Sequence, residues 1–334
     1  GHSNVQGDRS VGIMHYIDKG FNKRIETHLG FTPPAEAGLD VVGAMRAMHD
    51  GEAKIFMALG GNFLMAASDT DYTAEALQRC ELTVQVSTKL NRSHLVTGKT
   101  ALILPTYGRS EKEAGGTNCF VTVENSMGRV RASKGVLKPV SENLKSEPEL
   151  IATLADKYFK GAHHVNWKLL GGDYSKIREM IDKVAKGFEN TESRAKGVGY
   201  YLPNNVRERD FSKLPGGKAR ITINKLPEHR LESDEFMLMT IRSHDQFNTT
   251  IYGMDDRYRG VYNERRIVFM NPDDMAENNF EKLEVVNLSS RYDARTRTAY
   301  NFMVLPYKIP KGNLAAYFPE TNACLLYTSP SPRD

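Results

Sequence analysis

The chain has 334 residues, of which 40% are hydrophobic and 26% are charged, and its formal net charge is +4. This composition is typical of a globular chain with room for two ordinary domains, and it excludes a largely disordered one. The basic residues are scattered among acidic ones, so the charge does not indicate nucleic-acid binding. No apolar run approaches the roughly 18 residues that a membrane-spanning helix needs. We therefore expect a cytoplasmic protein with neither nucleic acid nor a membrane among its partners.

The three cysteines, Cys80, Cys119 and Cys324, lie far apart in the chain and form no Cys-x-x-Cys pair. This spacing argues against a disulfide framework and against a cysteine-rich metal site. Because free cysteine is among the most buried residue types, we expect three reduced thiols in or near the core.

The first third of the chain alternates helix-like and strand-like segments. Residues 38–49 have helical spacing, and short apolar runs at 54–59, 82–87 and 100–105 predict three strands. A helix-like stretch follows each of the first two strands, and residues 69–71 supply N-cap residue types for the first of these helices. Strand, helix and strand at this spacing predict a parallel, Rossmann-like α/β layer.

The rest of the chain changes from helices to strands. Helical spacing at 149–159 and 174–188 precedes a polar segment rich in proline and glycine at 201–217, which we interpret as a linker. The alternating or apolar runs after Lys218 are 220–224, 236–241, 266–270, 283–289 and 299–305. One short helix, starting at Asn271-Pro272, interrupts these strands, and this order predicts a small β-barrel.

The last residues, Leu325–Asp334, have low complexity and look more like translated sequencing-adapter sequence than like protein. We expect a non-native tail there and leave it out of the fold prediction. Together with a start that has no methionine, this indicates a fragment of a longer chain.

Two sites follow the predicted strands of the α/β layer. Gly60, Gly61 and Asn62 come directly after the first strand, at the end where ligands bind in open α/β sheets. A tight turn is the alternative for this segment. Val86 and Ser87 end the second strand, where a ribose hydroxyl is commonly bound, although the pattern alone favours a helix cap for Ser87.

The densest polar segment, Arg242–Thr250, directly follows a buried strand. Arg242 suits two-pronged contact with a diphosphate. Gln246 and Asn248 are able to bind the edge of a heterocycle through paired donors and acceptors. Because concentrated polar groups beside a core need partners, a ligand-binding loop is favoured over a solvated hairpin.

Five longer segments carry a family resemblance: 1–10, 58–62, 82–105, 239–261 and 315–322. They resemble the FdhF/YdeP group of molybdopterin-dependent oxidoreductases, which are relatives of formate dehydrogenase, and the similarity runs from Gly1 to about Cys324. The resemblance implies a bis-molybdopterin guanine dinucleotide cofactor with molybdenum or tungsten, and a 4Fe-4S cluster in an N-terminal part that this chain lacks.

The resemblance also implies an architecture of α/β plus β, with a partial Rossmann-like layer followed by a double-psi-type β-barrel. The implied parts are a partial α/β domain at 1–110, a connecting, partly helical region at 111–217, the dinucleotide-binding barrel at 218–324 and the non-native tail at 325–334.

The resemblance assigns cofactor-binding roles to specific positions. They are Gly60, Gly61 and Asn62 beside a guanosine diphosphate, Val86 and Ser87 at guanine or ribose, Lys112 and Glu147 at the nucleotide, Arg242, Ser243, His244, Gln246, Phe247 and Asn248 around pterin and diphosphate, and Asn322 near the pterin. Ser87 stands where relatives often carry an acidic residue. The residues Glu111–Glu113 otherwise suggest only a solvated loop. His2 is expected close to the metal pocket, behind the metal ligands, and no metal ligand is expected in this chain.

The functional hypothesis is a formate dehydrogenase-like enzyme that oxidises a small anion such as formate and passes two electrons to an iron–sulfur cluster and a redox partner. Because the residue that binds the metal is expected upstream, the fragment alone is predicted to be inactive. The alternative is a noncatalytic accessory protein that has kept nucleotide- or cofactor-binding loops.

Overall fold

The structure is a computed structural model that describes residues 2–14, 16–113, 117–225, 231–247, 251–292 and 294–326, with only the backbone given for residues 2–4. The chain divides into two compact units. The first unit comprises Gly1–Asp40, Val86–Lys89 and Ile103–Thr222, and the second comprises Val41–Gln85, Leu90–Leu102 and Ile223–Asp334. The domain boundaries and the foreign tail predicted from sequence stay predictions.

The helices and strands have the following bounds, each numbered in chain order. The helices are α1 (His2–Ser10), α2 (Lys19–Leu29), α3 (Val41–His49), α4 (Phe63–Ala66), α5 (Thr70–Arg79), α6 (Glu147–Phe159), α7 (Trp167–Gly172), α8 (Tyr174–Val184), α9 (Thr191–Arg194) and α10 (Pro272–Glu277). The strands are β1 (Ile55–Leu59), β2 (Leu82–Ser87), β3 (Thr100–Pro105), β4 (Val121–Glu124), β5 (Arg129–Ser133), β6 (Tyr200–Tyr201), β7 (Met237–Ile241), β8 (Ile267–Met270), β9 (Val285–Tyr292), β10 (Arg295–Pro306) and β11 (Asn313–Tyr317). No helix in the described ranges is long and apolar enough to cross a membrane.

Strands β1, β2 and β3 form one sheet in sequence order, so the three strands predicted for the α/β layer are confirmed. Thr100 N donates to Glu81 O at 3.0 Å where β2 and β3 begin, and Thr106 N donates to Ser87 O at 3.2 Å where they end. The beginnings of the two strands are therefore hydrogen-bonded to each other, and so are their ends. This pairing means that β2 and β3 run parallel, as predicted.

The prediction of an α-helix between β2 and β3 is wrong. A single 3₁₀ turn at Arg92–Leu95 stands there, closed by a capping box between Asn91 and His94. The turn stops because Val96 and Gly98 are poor helix formers. Gly98 also lies against the backbone of Cys80, where an added Cβ would be 2.4 Å from the carbonyl oxygen.

Asp69 precedes α5, as the predicted cap does, but its side chain makes no cap hydrogen bond. Its backbone is left-handed, with φ 45°, and its carboxylate is 1% exposed and pairs with Arg297 Nε at 2.7 Å. The buried ion pair takes the carboxylate away from the helix N-terminus and joins the α5 region to β10 within the second unit.

The first unit holds an antiparallel sheet that the sequence reasoning missed. Its order is β4-β5-β6, with Val121 opposite Ser133 and Val130 opposite Tyr200. Asn125 closes the β4–β5 turn by accepting hydrogen bonds from the backbone N–H groups of Met127 and Arg129. Helices α6 and α8 confirm the two predicted in this region, although α8 ends at Val184 rather than Phe188.

The second unit holds a five-stranded mixed sheet in the order β7-β11-β8-β10-β9. Strand β11 pairs parallel with β7 and antiparallel with β8, while β10 pairs parallel with β8 and antiparallel with β9. The four strand runs predicted from 236 onward are confirmed, β11 was missed, and a double-psi barrel stays a prediction. The helix predicted at Asn271-Pro272 is α10, capped by the Asn271 side chain.

The alternating run at 220–224 is not a strand. Ile221 and Ile223 are 92% and 98% exposed, and the segment has no assigned secondary structure. Alternation alone does not form a strand, because a strand needs a neighbour to satisfy its backbone groups.

The cysteine prediction is confirmed. Cys80, Cys119 and Cys324 are free and buried. Burial raises the pKa of the Cys324 thiol to about 11, and burial also raises the pKa values of the other two. All three are therefore protonated, unreactive thiols at neutral pH.

Candidate functional site

The polar loop predicted from sequence begins where β7 ends. Residues 242–247, called here the 242–247 loop, lie in the described part of the chain, and Asn248 lies outside it. Ser243 and Gln246 are 4% and 8% exposed, whereas Arg242 and His244 face solvent and Phe247 is 65% exposed. The loop therefore has an inner face and an outer face.

The inner face is bonded to the protein itself. Gln246 Oε1 accepts a hydrogen bond from Ser243 N at 3.1 Å, and Gln246 Nε2 donates to Phe318 O at 2.8 Å. Both ends of the Gln246 amide thus have protein partners, which is what a buried amide requires. The cofactor roles of Ser243 and Gln246 stay predictions, and in this structure their polar groups hold the loop together.

The outer face presents a cation, Arg242, that has no partner in the part of the chain that the structure describes. The Arg242 guanidinium forms no hydrogen bond or ion pair with any described residue, while the Arg242 carbonyl accepts from Arg259 Nη1 at 3.0 Å. A held backbone and an unpaired guanidinium suit an anionic ligand, because arginine binds phosphate through two parallel N–H groups.

His244 lies beside Arg242 on the outer face. Its Nδ1 is 3.2 Å from Asp256 Oδ1, and its ring lies against Tyr258 with the ring centroids 4.3 Å apart. The imidazole is therefore fixed on one side by a carboxylate and on the other by an aromatic ring, while 46% of the side chain stays exposed.

Asp256 is the buried carboxylate under this face, 2% exposed. It accepts from Arg259 Nη1 at 2.5 Å and from the Tyr317 hydroxyl at 2.9 Å. Burial alone would raise the pKa of Asp256, but the hydrogen bonds from Arg259 and Tyr317 and the charge of Arg259 lower it below its ordinary value. Asp256 is therefore ionised, and it orients both His244 and, through Arg259, the backbone of Arg242.

Gly60, Gly61 and Asn62 form the predicted turn after β1. Both glycines have positive φ, 69° and 79°. Gly61 O accepts from Asn91 Nδ2 at 2.8 Å, and Asn62 Oδ1 accepts from Ser93 Oγ at 2.9 Å, so the turn is held from behind. A Cβ added to Gly61 would meet no atom within 4 Å. Open space in front of a fixed backbone leaves room for a ligand to approach.

Asn322 is fully buried in the 3₁₀ turn at Glu320–Cys324. Its Nδ2 donates to Met65 O in α4 at 2.7 Å, but its Oδ1 has no hydrogen-bond partner among the described residues. An unsatisfied buried acceptor costs free energy and marks a place where a donor from a ligand or from water is expected. This oxygen, the open glycine turn and the Arg242 guanidinium are three separate features of the second unit that each leave a group or a space for a ligand.

Three residues of the first unit, Val86, Ser87 and Glu147, were also predicted to bind the cofactor. Val86 is buried, and Ser87 Oγ donates to Lys89 O at 2.7 Å, which closes a local turn. Glu147 is the exposed first residue of α6, and the helix is capped by Ser146. None of these groups meets a feature that indicates a ligand, so their cofactor roles stay predictions.

Lys112 lies in a loop that is held in place by hydrogen bonds and is not simply a solvated loop. Glu111 accepts from the backbone N–H groups of Gly108 and Val140, and Glu113 accepts from the Tyr174 hydroxyl at 2.6 Å. The two glutamates are bonded within the first unit, and Lys112 between them is exposed. The side chain of His2 lies outside the described residues, so its expected place near a metal pocket stays a prediction.

The sequence reasoning missed the charged residues that support the loop. They are Asp256, Arg259, Arg265 and Glu320. A signal was present for two of them: Arg265 lies two residues before the buried strand β8, and Asp256 lies in a run of charged residues next to the polar loop. Pattern alone does not say which charges turn inward.

Comparison with known proteins fits this geometry. Residues 236–332, which contain the five-stranded sheet and the 242–247 loop, match the family described as the Molydopterin dinucleotide binding domain. An uncharacterized oxidoreductase of Mycobacterium tuberculosis is 44% identical over 329 residues, 96% of this chain and 42% of that protein. Protein YdeP of Escherichia coli is 39% identical over 342 residues, 99% of this chain and 44% of that protein. The chain therefore spans less than half the length of these relatives.

Among solved structures, acetylene hydratase from Pelobacter acetylenicus superposes with a TM-score of 0.48 at 13% identity, over 94% of this chain and 45% of that one. A superposition this loose carries no argument about function. The sequence matches do carry such an argument. They show that residues 236–332 are a molybdopterin dinucleotide-binding domain and that the chain is homologous to proteins named as oxidoreductases.

Proposed function

We propose that this chain is the cofactor-binding part of an oxidoreductase that uses a bis-molybdopterin guanine dinucleotide with molybdenum or tungsten. One observation carries the proposal: the outer face of the 242–247 loop, inside the matched domain, presents the Arg242 guanidinium, which has no partner among the described residues, and the fixed imidazole of His244. The domain match supplies the kind of ligand, and the outer face supplies the group that would bind its anionic part.

Different residues of the second unit would bind different parts of the cofactor. Arg242, with His244 beside it, would bind the diphosphate through charge-assisted hydrogen bonds. Gly61 leaves space for the nucleotide to approach the backbone, and Asn322 Oδ1 offers an acceptor to a heterocycle N–H. In the first unit, Lys112 is proposed to contact a guanine nucleotide of the cofactor, as the family resemblance implies. When bound, the cofactor supplies the two-electron chemistry, and the protein binds and orients it.

The finer activity is proposed on the resemblance to relatives of formate dehydrogenase. It is the oxidation of a small anion such as formate, with electrons passed to a 4Fe-4S cluster and a redox partner in the cytoplasm. The oxidoreductase names of the homologues support a redox reaction and no particular substrate.

The test is a calorimetric titration of the chain with guanosine diphosphate, which shares the diphosphate and guanosine of the cofactor. Arg242→Ala should bind about 10- to 100-fold more weakly, as expected for one lost hydrogen bond to a charged group. The control is Arg291→Ala, which removes another exposed arginine of the second unit, on β9. Equal affinities for wild type and Arg242→Ala would refute the proposal.

A further inference from the structure

A second arginine lies behind the 242–247 loop and has no part in the proposed binding. Arg265 lies two residues before the start of β8 and is 3% exposed. A guanidinium so deeply buried is costly unless every N–H group finds a partner. Because solvent does not reach it, Arg265 is not placed to touch a ligand at the outer face of the loop, and any role in binding must act through other residues.

On one side Arg265 holds the inner face of the loop. Its Nη1 donates to Ser243 Oγ at 2.9 Å, and its Nη2 donates to Gln246 Oε1 at 3.1 Å. These are the two inward-facing residues of the loop. Gln246 Oε1 also accepts from Ser243 N, so the guanidinium completes a closed set of hydrogen bonds within the loop.

On the other side Arg265 is bound to the turn that follows β11. Its Nε lies 2.9 Å from Glu320 Oε1 and its Nη2 lies 3.2 Å from Glu320 Oε2, a two-pronged ion pair. Nη2 also donates to Phe318 O at 3.0 Å, the same carbonyl that accepts from Gln246. One side chain thus ties the loop after β7 to the turn after β11.

Two aromatic rings enclose the guanidinium. Its central carbon lies 3.7 Å from the ring centroid of Tyr252 and 4.8 Å from that of Tyr317. Burial, with Glu320 next to it, raises the pKa of Tyr252 to about 12, so this ring is a neutral phenol at physiological pH. The rings stabilise the cation by cation–π contact and keep water away from it.

This set of contacts requires arginine. A planar fork reaches Glu320, Ser243 and Gln246 at once, whereas a lysine ammonium is a point charge with three donors. The next residue gives a contrast, because Arg266 is exposed and its guanidinium donates only to Tyr300 O, at 3.0 Å, among the described residues. The pair therefore offers a matched test in which the same change is made at adjacent positions.

We infer that Arg265 is a positioning residue for the cofactor loop. By holding Ser243 and Gln246 inward, it fixes the loop in the shape that turns Arg242 and His244 outward, so that a ligand meets a preformed face. Preformed loops bind more tightly because less ordering is needed on binding. What the loop binds rests on the proposed function, but the claim that Arg265 holds the loop does not.

The first arm of the test needs no ligand. Hydrogen exchange is measured on the chain carrying Arg265→Lys or Arg266→Lys. Arg265→Lys should speed exchange at the backbone amides of Ser243 and Gln246 about tenfold or more, as expected when hydrogen bonds to a charged group are lost. Amides of β9 and β10 should keep their wild-type rates, and Arg266→Lys should leave the loop unchanged. Unchanged loop amides in Arg265→Lys, or equal acceleration throughout the second unit, would overturn the inference.

The second arm measures binding of guanosine diphosphate. Arg265→Lys should weaken it about tenfold, with no such change in Arg266→Lys. In a Gln246→Ala background, Arg265→Lys should add less than about twofold, because the two residues act through one set of contacts. Additive losses would mean that Arg265 acts only on general stability.

Different results would refute nucleotide binding by the chain and the positioning role of Arg265. If the wild-type chain does not bind guanosine diphosphate, the proposed function fails while the exchange arm still decides the role of Arg265. If Arg265→Lys does not fold, Ser243→Ala removes a single bond from the set and should speed exchange at Gln246. An unchanged rate at Gln246 in that variant would also refute the inference.

Discussion

Asp256 orients the two polar groups on the outer face of the 242–247 loop. It bonds His244 directly and reaches the Arg242 carbonyl through Arg259. Its lowered pKa means that the folded state favours the carboxylate form, so Asp256 contributes stability that is complete above its ordinary pKa. That contribution is lost as the pH falls through the lower, folded-state pKa.

This predicts a pH-dependent effect of Asp256→Asn. At neutral pH the substitution should reduce the free energy of unfolding by about 1–3 kcal/mol, because Asn keeps the shape but loses the charge that pairs with Arg259. The difference from wild type should narrow as the pH falls below the ordinary aspartate pKa of about 4 and through the lower pKa of folded Asp256, where the wild-type carboxyl also becomes neutral. Urea unfolding across this range measures it.

The neighbouring Asp255 gives the control for that experiment. It is exposed and accepts only from Asn263 N at 2.7 Å among the described residues. Asp255→Asn should show a smaller loss. A difference between wild type and Asp256→Asn that stays constant with pH would contradict an ionised, hydrogen-bonded Asp256.

At the scale of single residues, the exposed side chains of the 242–247 loop were easier to single out from the sequence than the residues that support the loop. Arg242 and His244 could be predicted because polar residues directly after an apolar strand need partners. The inward turn of Gln246 could not, since its partner Phe318 is 72 residues away in the chain. Arg265 likewise depends on Glu320, a pairing that only the folded chain brings together.

At the scale of elements, the turn after β1 makes a prediction about Gly61. Its φ of 79° is strained for any residue with a Cβ, yet an added Cβ would meet nothing within 4 Å. Gly61→Ala should therefore cost only about 1–2 kcal/mol of unfolding free energy, from backbone strain alone. If a nucleotide approaches this turn, affinity for guanosine diphosphate should fall about tenfold or more.

Gly51 is the control for the turn, because it too has a positive φ of 79° and open space. It lies in the turn between α3 and β1, away from the predicted site in sequence. Gly51→Ala should cost similar stability and leave affinity unchanged. Equal affinity in both variants would exclude Gly61 from the binding surface.

The elements that the sequence revealed are those with apolar or alternating runs. Such runs predicted strands β1, β2, β3, β7, β8, β9 and β10, and the Asn-Pro start predicted α10. Strand β11 was missed because Asn313–Tyr317 is short and rich in alanine, and its stability comes from parallel pairing with β7 and antiparallel pairing with β8. The β4–β5 hairpin had a detectable signal in Asn125 and Gly128 between alternating runs.

At the scale of the whole molecule, each unit has a core of its own. In the first unit, Arg178 is 3% exposed, pairs with Glu192 at 2.6 Å and lies over the Phe120 ring at 3.6 Å. Arg178→Ala should cost about 1–3 kcal/mol, because it leaves the buried Phe120 carbonyl and the partly exposed Glu192 without the hydrogen bonds of the guanidinium. Hydrogen exchange should rise in β4 and β5 and stay at the wild-type rate in β8 and β10. A rise of equal size in both units would contradict separate cores.

The central claim is that the 242–247 loop binds a molybdopterin dinucleotide. The most direct measurement is the amount of cofactor that stays with the purified chain when it is produced in a host that makes molybdopterin guanine dinucleotide. Released guanosine monophosphate and the fluorescent oxidised pterin are quantified for wild type, Arg242→Ala and the control Arg291→Ala. Wild type and control should retain the cofactor, and Arg242→Ala should retain about one tenth as much or less. No cofactor with wild type, or equal amounts with wild type and Arg242→Ala, would contradict the claim.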